Sequence, residues 1–163
     1  MYQLISDNRF RFCDNGLAEV KHQPSFDDWC ITWQRLKTGD NAMPWAIGDL
    51  FIYGEDAFGE MVSQELEANE DDEHSRFSSG VLKQYRYVSR QWPVQNRLPL
   101  PWSYHQTTAH LPMNERLTLM QRCLDEGIKR AELRRLANGK NDGQLPNPPT
   151  QTQDTITELV QEN

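Results

Sequence analysis

The chain has 163 residues, with 24 acidic and 17 basic side chains and a net charge of −7. That length suits one domain with tails and a buried core. The net acidity argues for solubility and against nonspecific nucleic-acid binding by the surface as a whole. A local basic stripe can still act at short range, because screening limits distant charges to about 10 Å. The cysteines, Cys13, Cys30 and Cys123, are odd in number and form no CxxC pair, so free thiols are expected and a zinc site has no support. "MYQLISDNRF" lacks the basic start and apolar run of a signal peptide. No apolar stretch approaches the roughly 20 residues of a membrane span. A cytoplasmic protein is expected.

In chain order, "RFRFC" alternates Phe10 and Phe12 with charged residues, and Asn15-Gly16 suits a turn, so "LAEVKH" reads as the return strand of a β-hairpin. "PSFDDWCITWQRLKTG" reads as a helix capped by Ser25, with Asp27 and Asp28 in its first turn. Lys37 and Gly39 mark its end. "NAMPWAIGDLFIYG" follows, with Pro44 in a first turn. Apolar residues on more than one side place this helix at the centre of the domain. Gly54 is expected to break or bend it. "EDAFGEMVSQELE" resumes as a helix with Phe58, Met61, Val62 and Leu66 on one face.

From Glu65 to Glu73 there are six acids and no base, which predicts an exposed loop. The next stretch, "FSSGVLKQYRYVSRQW", contains no acid. With Arg76 just before it, it carries four positive charges. At about 100° per residue, Val81, Leu82, Tyr85, Val88 and Trp92 fall on one side of a helix over 78–92. Ser79, Lys83, Arg86, Tyr87 and Arg90 fall on the other. Ser78 or Ser79 caps its start and Pro93 stops it. Three further helices are expected in "PWSYHQTTAHLP", "NERLTLMQRCLDEG" and "IKRAELRRLANG". The remainder, rich in Pro, Asn, Gln and Thr, reads as a disordered tail from Lys140, with a short helix option at "DTITELVQ". The divisions are a 1–24 extension, a 25–139 helical domain and a 140–163 tail.

Catalytic readings fare poorly. Ser103 and His105 lie two residues apart in one helix, where side chains diverge by about 200°. A capping Ser103 and a partly buried His105 fit better. His105 and His110 are badly spaced for a shared metal. Glu55, Asp56 and Glu60 fit the start of a helix, where negative charge is favoured. No Gly-rich phosphate loop and no HExxH occurs. Neither an enzyme nor a bound cofactor is expected.

A basic helix that follows another helix fits a helix-turn-helix, whose second helix enters the major groove. Two resemblances bear on this. "MPWAIGDLFIYGEDAFGE", "LKQYRYVSRQW" and "LPWSYHQTTAHLPMNERLTLMQRCLDEGIKRAELRR" occur in an order that resembles the LmbU-type transcriptional regulators. The matching residues are Trp45, Gly48, Asp49, Tyr53, Gly54 and Glu55, then Leu82, Tyr85, Val88 and Arg90. Trp102, Ser103, His105, Leu111 and Pro112 follow, and Glu132, Leu133 and Arg134 close the pattern. The segment from Leu100 to Arg135 is also similar, more loosely, to the central DNA-binding domain of ParB partition proteins. The ParB nucleotide-binding domain has no counterpart. Two features depart from the family pattern: the acidic "ANEDDEHSRF" lengthens the turn between the two helices, and Lys129 stands where a capping Ser or Thr is expected.

These resemblances imply a mainly α, helix-turn-helix-containing domain that binds double-stranded DNA. Ser79, Lys83, Gln84, Arg86, Tyr87 and Arg90 would read the groove, with Arg76 and Arg97 near phosphates, which position rather than specify. Such regulators often dimerise over paired half-sites, although no heptad seam shows how this chain would. The competing expectation is a protein-interaction adaptor or acidic decoy, motivated by nine acids and no base between Glu55 and Glu73.

Overall fold

The structure is a computed structural model that describes residues 9–38, 43–70 and 76–142. It is mainly α, with one small antiparallel hairpin. Strands β1 (Phe10–Cys13) and β2 (Gly16–Val20) pair with an irregularity between Arg11 and Phe12. Gly16 supplies the turn's positive φ of 117°. Phe10 and Phe12 both point into the core, so the expected N-terminal extension is part of the body.

The helices are α1 (Phe26–Thr38), α2 (Pro44–Phe58), α3 (Glu60–Glu70), α4 (Ser79–Gln91), α5 (Trp102–Thr108), α6 (Met113–Glu126) and α7 (Arg130–Asp142). A short 3-10 turn, Val94–Asn96, follows α4. Ser25 caps α1, with its hydroxyl accepting from the Asp28 N–H at 3.2 Å. Ser78 caps α4 in the same way through Val81 N–H. Gly127 ends α6 in the left-handed conformation at φ 68°. Met43 precedes Pro44 at the start of α2, and Pro101 occupies the cap position of α5. Ser103 therefore lies inside α5 rather than capping it.

Three expected boundaries move. α2 runs straight through Gly54 and ends at Gly59. Gly54 lies under the Trp29 indole, where a Cβ would come within 2.5 Å of Nε1. The absent side chain serves packing, not a break. α3 continues through Glu65 to Glu70, where a loop was expected. Val62, Leu66 and Asn69 are buried at helical spacing, and Asn69 satisfies its amide on the Phe77 carbonyl at 2.7 Å. Residues 71–73 of that acidic stretch lie outside the described residues. α7 passes Gly139 and reaches Asp142, three residues into the expected tail. The rest of the tail, with "DTITELVQ", is outside the described residues.

Two apolar clusters form the core. One joins Phe10, Phe12, Trp29, Trp33, Leu36, Leu50, Phe51, Val62 and Leu82. The other joins Trp45, Val88, Trp92, Leu111, Leu119, Met120, Leu133 and Ala137. Helices α2 and α4 contribute to both, so the expected central position of α2 holds. Their close crossing is set at Gly48, where a Cβ would lie 2.3 Å from Ser89 Oγ and 2.5 Å from the Tyr85 carbonyl. Cys13, Cys30 and Cys123 are free thiols. Burial, helped by the Glu65 and Asp27 carboxylates, pushes the Cys30 thiol up to about 11, so it stays protonated. Among the described residues no helix is long and apolar enough to cross a membrane.

Candidate nucleic-acid interface

Helix α4 is anchored by Leu82, Val88 and Trp92, all essentially inaccessible, and by the half-buried Tyr85. Val81, expected on this side, is 38% exposed. Ser89 takes a buried place instead, over Gly48, because its small side chain permits the crossing with α2. On the other side Lys83, Tyr87 and Arg90 are exposed, while Ser79, Gln84 and Arg86 are half-buried. Arg76 is exposed just ahead of the helix.

The arginines of the stripe do not stand alone. The Glu55 carboxylate of α2 reaches both of them. One oxygen accepts from Arg86 Nη1 and the other from Arg90 Nη2 at 2.6 Å. The Glu55 side chain is only 19% exposed, Arg86 28% and Arg90 47%. Glu55 therefore does not sit at a helix start, as expected; it lies near the end of α2, and only Glu60 occupies a first turn. Lys83 has no ion pair among the described residues.

Arg97, expected near phosphates, is inside the protein. Its guanidinium makes a two-bond pair with Asp49, at 2.7 Å and 2.6 Å, and donates to the Asn15 carbonyl. Its Nε donates to the Trp92 carbonyl, and its plane lies 3.8 Å above the Trp45 ring. Asp49 also accepts from the Leu17 N–H. With its side chain 1% exposed, Arg97 joins the hairpin, α2 and the segment after α4, and it offers nothing to solvent. A charge is tolerated there because every part of it is partnered.

His105 is buried more completely than expected. The Leu98 N–H donates to Nε2 at 3.2 Å, which leaves Nδ1 to donate to the Pro101 carbonyl at 3.2 Å. Trp45 and Trp92 pack edge-on against the ring at about 5 Å. Burial lowers its pKa to about 4, the Arg97 charge adds to this, and the Pro101 bond opposes it. The histidine pins the Pro-rich segment to α5.

The motif residues thus have structural tasks. Trp45 stacks on Arg97, Gly48 admits α4, Asp49 holds Arg97, Tyr53 packs on Phe10 at 5.4 Å, Gly54 admits Trp29 and Glu55 ties the arginines. Sequence reasoning missed Glu55 as the partner of α4. A signal existed: Glu55 lies seven residues after Gly48, two helical turns along the same face. Comparison of the chain with protein-family models, curated proteins and solved structures gives no match.

Proposed function

We propose that the protein is a non-catalytic, sequence-reading regulator that binds double-stranded DNA through the exposed side of α4. One observation carries the reading. Lys83, Tyr87 and Arg90 form an exposed row at helical spacing, with no acid on α4 itself, above a buried side that fixes the helix to the core. From Lys83 to Arg90 the row rises seven residue steps, or about 10 Å at 1.5 Å per residue. That matches roughly three base steps, and a major groove admits a helix. Gln84 borders the row and can add a polar base contact. Helix α3 precedes α4, and the Asn69–Phe77 bond ties the two together, as in a helix-turn-helix pair. The likeness of the motifs to LmbU-type regulators points the same way, and a homodimer over paired half-sites would follow from it.

An electrophoretic shift assay with random duplex at low salt tests the reading. The parent is expected to bind. Lys83→Ala with Tyr87→Ala should weaken binding and lower the magnitude of the salt slope by about one, since one phosphate contact is lost. A folded double variant that binds like the parent would remove α4 as the reader. If the parent binds no duplex, the exposed acids Asp56, Glu60 and Glu67 favour the adaptor reading, in which the acidic face meets a basic protein.

A further inference from the structure

Resting on the DNA-binding reading, we propose that Glu55 sets the sequence discrimination of the α4 surface by holding Arg86 and Arg90 on the protein, away from the phosphates of arbitrary duplex. The two arginines lie one turn apart on α4, and the carboxylate comes from a different helix. Each of its oxygens serves one guanidinium. Charge-assisted bonds of this kind are about twice as strong as neutral ones. With Glu55 and Arg86 partly buried, they are screened less than surface pairs.

A phosphate and a base edge ask different things of these arginines. A phosphate is another single anion, so an arginine that moves from Glu55 to a phosphate exchanges one partner for its equivalent and gains little. Nonspecific attraction then falls mainly to Lys83 within the row. A guanine edge presents two acceptors, O6 and N7, to one guanidinium. The guanidinium has five N–H donors. Arg90 gives Nη2 to Glu55, and with nearly half of its side chain exposed it can offer the rest to a base without leaving the carboxylate. A held arginine is also pre-oriented, which lowers the ordering cost of a base contact. The carboxylate thus discounts contacts that every sequence offers and preserves those that only some sequences offer.

The test is random-duplex affinity across salt for the parent and two variants. Glu55→Gln keeps the shape and loses the charge. Glu55→Asp keeps the charge but shortens the reach. Both should tighten random-duplex binding, Glu55→Gln by roughly tenfold at low salt, with a salt slope steeper by about one to two as freed arginines find phosphates. The ratio of affinities for a duplex selected on the parent and for random duplex should fall. With Arg86→Ala and Arg90→Ala already in place, Glu55→Gln should change nothing. Unchanged affinity and slope in a folded Glu55→Gln variant would overturn the inference. Tightening that persists without the arginines would also overturn it, because the carboxylate would then act only through the general field. The DNA reading fails separately, whatever Glu55 does, if the parent binds no duplex at low salt, and α4 fails as the reader if Lys83→Ala with Tyr87→Ala binds duplex like the parent.

Discussion

At the scale of single residues, His105 shows how an enclosed titratable group links stability to acidity. Its imidazole is neutral in the fold, with Nε2 accepting and Nδ1 donating. Its pKa falls from 6.5 to about 4 because burial disfavours the cation. The unfolded chain therefore takes up a proton that the folded chain refuses between these two values. The contribution is complete above pH 6.5 and is lost as pH falls toward 4. At about 1.4 kcal/mol per unit, roughly 3 kcal/mol is at stake. Urea midpoints measured between pH 7.5 and 4.5 should show this loss, and His105→Gln should flatten that part of the profile. An equally steep profile in the variant would assign the loss to other groups. Arg97 illustrates the opposite arrangement, a buried charge whose donors are met by Asp49 and by carbonyl acceptors.

At the scale of elements, glycine has two opposite meanings in these helices. At Gly48 a methyl group would press on the Tyr85 backbone carbonyl across the crossing of α2 and α4. Backbone cannot yield as a flexible side chain does, so Gly48→Ala should destabilise by about 1–3 kcal/mol, as overpacking does. Gly139, in α7, has nothing within 4 Å of a built Cβ. Gly139→Ala should instead stabilise by up to about 1 kcal/mol through helix propensity. Thermal melts of the two variants should move in opposite directions, and a shared sign would refute the assigned crossing. The same residues show what was legible beforehand. Ser25, Ser78, Pro93 and Gly127 mark helix ends by local chemistry, and those ends appear where that chemistry puts them, whereas Ser103, expected as a cap, lies inside α5. Gly54 was misread because its reason is Trp29, 25 residues away in the chain and invisible to local rules. Asn69 was misread because an amide counts as polar until its partner is known. Glu55 and Arg97 were misplaced for the same reason, since both depend on which helices cross. The buried side of α4 was legible from periodicity, apart from the exchange of Val81 for Ser89.

At the scale of the molecule, the two apolar clusters share α2 and α4, and the hairpin closes the first of them. A fragment that begins at Ser25 would lose Phe10 and Phe12 and strip Asn15 and Leu17 from the Arg97–Asp49 pair. Deleting a buried Phe side chain typically costs about 3–5 kcal/mol. Two such losses rival the roughly 5–15 kcal/mol of a whole domain. Calorimetry of the fragment should show no cooperative transition near that of the full chain; a similar transition would make the hairpin an accessory. The bond from Asn69 to the Phe77 carbonyl has a different kind of consequence. Phe77 is further fixed against Trp33 and Tyr85. The start of α4 is thus set by these contacts and not by the number of residues that join it to α3. Doubling the length of a flexible connection costs only about 0.6 kcal/mol. Insertions and deletions between Asn69 and Phe77 can therefore accumulate over generations while the helix they precede keeps its place.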